Sequence, residues 1–500
     1  MTTVQTDGSE ATTVESIVES VRSALFVDSP QSADGIRIEG TSTEYGADLS
    51  CTTELGADGR YLWQLSGVLQ QSHGFDGCVD WEQDITGMVR QLDLGDLEEA
   101  RLRHWLTSGE WVRHTERLQI TALDSESPQS WRLGVALRDG RMQSTVDIEK
   151  ASALPQQFTV TGIQGVEDYR LLDFRKSCGR QLPFHVQKSN AHGDVVDQRV
   201  LNVQRVSLPL ARFRMPELPT AGWTMHKDGA ELPLKRADTG HVLVQVDVNG
   251  TGPRWFIFDT GAGGLAFGKH LAKETESDQL GTLRVASVFG VDQSPVSRFQ
   301  SVRVGPLEIQ NPVAVQLDLS GLDEVFGERI EGVIGYEVFA RCVAVIDAAG
   351  PTVRLYKSAP PGLDESGWLP LRMNWRLPLV SGRLENYPEG LYRIDIGASG
   401  GPFGNVAFHS PFVDEYDVLR NREVSAIDAP PHELRTGTIS RFELANCVFP
   451  DADAAFALTD VTPFNDPFTQ GNIGIEFLKN FRIVLDYRNR RFRMDPAGAD

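Results

Sequence analysis

A chain of 500 residues is longer than one hydrophobic core ordinarily serves, so about three domains are expected. With 40% hydrophobic and 23% charged residues the composition is that of a globular protein, and a formal net charge of -21 disfavours nucleic acid or any other polyanionic partner. No apolar run approaches the ~18 residues that span a bilayer, so no membrane span is expected.

The first residues, "MTTVQTDGSEATTVES", are polar and acidic and lack the basic and apolar regions of a signal peptide. The compartment is therefore left open, cytoplasmic if this is the true start. Residues 1–33 read as a tail followed by a short amphipathic helix, because Ile17, Val18, Val21, Leu25 and Phe26 recur at helical spacing. From 34 to 212 period-two strands alternate with turn residues such as Ala57-Asp58-Gly59 and Asn190 to Gly193. One helix interrupts them in "LGDLEEARLRHWLTSGEWV", where Asp96 is the expected N-cap, Glu99 follows three residues on, and Leu102, Trp105 and Leu106 form an apolar stripe. Residues 213–239, rich in Pro, Gly and charge, read as a linker, and 358–369 as a second one. Between and after them lie two strand-rich segments, 240–357 and 370–496.

Five cysteines (Cys51, Cys78, Cys178, Cys342 and Cys447) show no C-x-x-C spacing. Free thiols are expected, with a Cys51–Cys78 bridge the one pairing left open. The histidines are dispersed without metal-ligand spacing, so neither a metal nor another cofactor is expected.

The two strand-rich segments repeat one another. "WFIFDTGAGG", from Trp255, and "YRIDIGASGG", from Tyr392, each bring an apolar strand to an Asp and then a small-residue turn. Further on, "GVIGYEVFARCVAVIDAAGPTVRLY" matches "GNIGIEFLKNFRIVLDYRNRRFRMD", pairing Gly335 with Gly474, Glu337 with Glu476 and Asp347 with Asp486. Gly261, Gly263 and Gly264 permit a sharp turn that brings amide donors to the Asp259 carboxylate. The same glycines brush against phosphate-loop composition, but the G-K-[ST] ending is missing. Asp347 and Asp486 each precede a turn, and side-chain bonds that stabilise a hairpin are the expected use of both.

An apolar strand, D-T-G-A, a strand-rich middle, an apolar-apolar-Gly element and a closing hairpin, in that order and twice over, resemble the retropepsin-like and pepsin-like aspartic peptidases. The nearest type is the bacterial aspartyl protease family proteins with two tandem lobes. The resemblance implies a mainly β fold, two tandem retropepsin-like β-barrel lobes forming a pepsin-like bilobal unit. It implies an aspartic endopeptidase with Asp259 and Asp395 as the catalytic pair. Active-site loop support would come from Thr260, Gly261 and Ala262 in the first lobe and from Ile396, Gly397 and Ala398 in the second. Such enzymes need no metal or cofactor, take a peptide or protein substrate in extended form, and with both carboxylates on one chain a monomer is expected. In the family the hydroxyl after the Asp bonds across to the opposite loop, and Ile396 has none. A non-catalytic peptide- or ligand-binding protein on a degenerate peptidase scaffold is therefore the alternative, and pairing of Asp259 with its copy in a second chain a further one. A flap is expected from "LRVASVFGVDQSPVSRFQSVRV", turning around Gly290 to Pro295, without the tyrosine usual in pepsins. Residues 34–212 resemble in arrangement the lipoprotein-carrier fold, an α+β domain with a curved antiparallel sheet. Trp63, Phe75, Trp81 and Trp105 would line a groove there or, as expected of large aromatics, pack its core.

Overall fold

The computed structural model describes residues 13–27, 34–162, 165–219, 221–287, 290–350, 352–363, 365–398, 406–408, 420–424, 432–457 and 467–498. The chain is mainly β, and it divides into two compact units, Met1–Leu218 and Pro219–Asp500. Among the described residues no helix is long and apolar enough to cross a membrane.

In the first unit Thr13 caps the helix Val14–Leu25 by accepting from the Ser16 amide at 3.2 Å, and Ile17, Val18, Val21 and Leu25 are all buried. Their spacing puts them on one face, which packs into a core with Tyr61, Phe75, Trp105, Val135 and Phe158. The wall of that core is a single 13-stranded sheet, in which the first strand, Asp34–Ser42, pairs antiparallel with the last, Val195–Ser207. The second helix runs Leu94–Ser108 and ends at Gly109, whose φ of 76° suits a residue without a Cβ. Its cap is Asp93, not the expected Asp96. The helix starts one turn earlier than its apolar stripe suggests, and the buried Asp96 carboxylate is spent on Arg90 instead. Trp63, Phe75, Trp81 and Trp105 are buried, and the Trp81 indole N–H donates to the Phe213 carbonyl at 2.7 Å, so these aromatics pack the interior. All five cysteines are free, including Cys51 and Cys78.

The second unit begins with three short strands, Trp223–Met225, Ala230–Glu231 and Leu234–Arg236, where a linker was expected. They pair with Leu307–Gln310, Thr352–Tyr356 and Val242–Val248 respectively, which satisfies backbone groups that composition alone left unassigned. One order of pairings then occurs twice. In the first half Val242–Val248 pairs antiparallel with Pro253–Phe258, which runs parallel to Ile330–Ile334; Ala266–Gly268 joins the other edge of that strand and runs parallel to Val313–Leu317. In the second half Leu377–Leu384, Gly390–Asp395, Gly471–Gly474, Val406–Phe408 and Cys447–Ala457 follow the same sequence of antiparallel and parallel neighbours.

A six-stranded sheet takes strands from both halves, joined where Val343–Asp347 pairs antiparallel with Phe481–Asp486. Asp347 accepts from the Ala349 amide at 3.1 Å, and Asp486 accepts from the Asn489 amide at 3.2 Å and the Arg491 guanidinium at 2.8 Å, so both carboxylates tie down hairpin turns. The stretch Gly290 to Pro295 is not a turn. It lies in the strand Gly290–Arg298, which pairs with Asp278–Ser287 in a register ending at Ser287 opposite Gly290. Residues 288 and 289, between the arms, lie outside the described residues.

Candidate active site

Both repeated aspartates stand where a buried strand meets the apolar-apolar-Gly element beside it. The Asp259 amide donates to the Ile334 carbonyl at 2.9 Å, and Asp395 is in parallel register with Gly474. The turn that follows each aspartate is tied to the same neighbour, since the Tyr336 amide donates to the Ala262 carbonyl at 3.0 Å and the Ile475 amide to the Ala398 carbonyl at 3.1 Å. Gly335 must be glycine, because a Cβ there would lie 2.3 Å from the Gly264 carbonyl oxygen.

The two loops meet face to face. A Cβ on Gly261 would stand 2.4 Å from Asp395 Oδ1, and one on Gly397 would stand 2.1 Å from Asp259 Oδ1. Each loop therefore offers a bare backbone to the carboxylate of the other, and the two carboxylates stand close enough to act on one another. The Gly261 amide donates to Asp259 Oδ1 at 2.6 Å, and Gly397 of the opposite loop lies against the same carboxyl group. Asp395 accepts from the Ala398 amide at Oδ1, 2.9 Å, and from the Asn472 side chain at Oδ2, 2.9 Å. Burial, and then the repulsion of Asp395, pushes the Asp259 carboxyl well above the usual carboxylate range; the amides of Gly261 and Gly397 pull the other way.

Thr260 is buried between the halves. Its hydroxyl donates to the Ile394 carbonyl at 2.6 Å and accepts from the Ile396 amide at 3.0 Å, so one side chain of the first loop grips the backbone on both sides of Asp395. The Ile396 side chain is fully buried and makes no hydrogen bond in return. The structure thus brings together Asp259, Thr260, Gly261, Ala262, Asp395, Ile396, Gly397 and Ala398.

Three neighbours were not anticipated. Asn472 occupies the position that is Val333 in the first half, and this polar intrusion into an apolar-apolar-Gly element was its only signal. His241 lies close to neither aspartate in sequence, yet its Nε2 is 2.7 Å from the Gly397 carbonyl oxygen. Tyr487 is buried with its ring stacked on Phe339 at 5.5 Å; burial first, then the Asp259, Tyr336 and Asp395 charges, pushes its hydroxyl well above the usual range. Close by, the two-residue turn Trp375–Arg376 joins Arg372–Asn374 to Leu377–Leu384 with φ of 46° and 71°, a left-handed pair that bulky side chains seldom adopt. The Trp375 carbonyl oxygen would lie 3.7 Å from a Cβ on Gly263. Among the described residues no group of His, Cys, Asp or Glu side chains is assembled to hold a metal.

Residues 244–338, which contain the first loop and Gly335, match the family model described as aspartyl protease, and the chain is to that extent similar to aspartyl proteases. Among solved structures, a LolA superfamily protein from Nitrosomonas europaea aligns over 41% of this chain and 98% of its own, at 16% identity and a TM-score of 0.31. No curated protein matches the chain.

Proposed function

We propose that the protein is an aspartic endopeptidase in which Asp259 and Asp395, one from each of two tandem retropepsin-like lobes, hydrolyse peptide bonds through an activated water. The observation that carries this reading is the face-to-face approach of two half-buried aspartates, each lying against the bare glycine of the opposite loop. Two carboxylates in such contact share one proton and titrate as a pair. Asp259, pushed upward by burial and by its partner, holds that proton, while the oxygens of Asp395 take N–H donors from Ala398 and Asn472. Asp395 then accepts a proton from the attacking water, and Asp259 donates to the scissile carbonyl oxygen; as the tetrahedral intermediate collapses, Asp395 passes its proton to the leaving amine and Asp259 takes one back from the intermediate's hydroxyl. The hairpin Asp278–Ser287 and Gly290–Arg298 is read as the flap over an extended peptide. Residues 34–212 are read as a lipoprotein-carrier-like domain on the arrangement of sheet and helices alone.

The absent hydroxyl at Ile396 favours a second reading, a protein that binds peptides or other ligands without cleaving them. Assay of the full chain on a mixed peptide library from pH 3 to 7, with and without a statine-type inhibitor, separates the two. Inhibitor-sensitive cleavage that falls by ~10²–10⁴-fold or more in both Asp259→Asn and Asp395→Asn is the expected result. Cleavage by neither wild type nor variants at any pH favours the binder, and activity retained in Asp395→Asn overturns the intrachain pair.

A further inference from the structure

We propose that His241 is a positioning residue for the aspartate pair, supplying from the first lobe the support of the second loop that the side chain at 396 cannot give. The inference rests on the reading of Asp259 and Asp395 as a working pair.

His241 follows the turn Ala237–Gly240, which is closed by bonds from the Ala237 amide to the His241 carbonyl at 3.0 Å and from the Gly240 amide to the Ala237 carbonyl at 2.9 Å. Its ring is buried edge-on against Phe326, with centroids 4.8 Å apart. Nδ1 lies 2.8 Å from the Thr239 hydroxyl, and Nε2 lies 2.7 Å from the Gly397 carbonyl oxygen. A carbonyl oxygen only accepts, so Nε2 carries the hydrogen. Burial lowers the imidazole below the usual histidine range, against the opposing pull of the Gly397 carbonyl and Asp395, and the neutral ring then accepts at Nδ1 from Thr239.

The peptide that His241 holds is the one that matters for the site. The Gly397 carbonyl and the Ala398 amide belong to one planar unit, and that amide donates to Asp395 Oδ1 at 2.9 Å. A bond at the oxygen end of this unit fixes the direction of the N–H at the other end. Gly397 itself lies against the Asp259 carboxyl group. His241 therefore orients a backbone segment that touches both carboxylates. In the second half the two-residue turn Trp375–Arg376 is too short to present an equivalent side chain, and the residue in register with His241 is Leu377.

The test compares His241→Phe, which keeps the ring against Phe326 but loses the donor, with His241→Gln, which keeps a donor, and with the double variant His241→Phe, Ile396→Thr, which restores a hydroxyl to the second loop. All are made in the full chain. A loss of kcat of about 10–100-fold in His241→Phe is expected, with KM changed by less than about threefold and the thermal midpoint nearly unchanged. His241→Gln should recover most of the loss and the added threonine part of it. Unchanged kcat in a folded His241→Phe, or a loss that neither change relieves, overturns the proposal. If the Phe variant fails to fold, His241→Gln decides, because wild-type kcat supports the proposal and lost kcat at an unchanged midpoint overturns it. If the wild type cleaves nothing, the endopeptidase reading fails separately. His241 is then judged by carboxyl carbon-13 titration of Asp259, which should move toward the ordinary range in His241→Phe and return in His241→Gln; no movement overturns the proposal.

Discussion

The loops Asp259–Ala262 and Asp395–Ala398 descend into the same geometry by different means. Each has a strand, a neighbour bearing Gly335 or Gly474, and a glycine against the opposite carboxylate. The first loop gives the Thr260 hydroxyl to the second and receives no side-chain bond from Ile396 in return. The second loop is held from outside, by Thr260 on the Ile394 and Ile396 backbone, by His241 on Gly397 and by Asn472 on Asp395. A side chain missing from one copy of a repeat thus says little about that copy's geometry until the contributions of the other copy are counted.

The sharpest way to break this comparison is to fill the space between the loops. Gly397→Ala places a Cβ 2.1 Å from the Asp259 carboxyl, so the aspartate has to leave its place. A loss of kcat/KM of about 10²-fold or more and ~1–3 kcal/mol of stability are expected. Gly263→Ala meets nothing nearer than 3.7 Å and should be close to neutral in both measurements. Equal effects at the two positions would mean that the loops do not approach as described. A smaller effect tests the one-sided brace. Thr260→Val leaves the buried Ile394 carbonyl and Ile396 amide without their partner, which costs ~1–3 kcal/mol. Ile396→Val removes one buried methylene and costs ~0.5–1.5 kcal/mol. Urea unfolding of both measures the asymmetry, and a cost at 396 as large as that at 260 would dissolve it.

Much of this was legible in the residues themselves. The apolar run Phe256–Phe258 ending in Asp-Thr-Gly-Ala carries its own strand-to-turn transition, and the later register of Gly335 with Gly474 identified Asp395 despite Ile396. The alternating apolar residues from 34 onward and the helical stripe at Ile17 to Leu25 read correctly because periodicity reports burial directly. What escaped was set by pairings between distant residues. Thr224 faces Glu308 and Lys235 faces Leu243, so Pro- and Gly-rich segments became strands through partners that composition does not encode. His241 escaped for the same reason. Its role depends on a carbonyl 156 positions away, and one histidine on its own carries no motif.

The smallest effect concerns the proton on Asp259, and pH exposes it. Asp259 in the folded chain holds its proton well above its ordinary value of 3.8, whereas in the unfolded chain it ionises near that value. The folded state therefore binds more protons than the unfolded one between those two values, and this group's contribution is fully present at pH below 3.8 and lost as pH rises toward the folded value. Asp259→Asn is neutral throughout and escapes that loss. Relative to wild type, its thermal midpoint should climb by a few degrees between pH 4 and pH 7, even as catalysis disappears. A midpoint difference that stays flat across this range would mean that Asp259 is not held protonated, and the assignment of the proton to Asp259 would have to be abandoned.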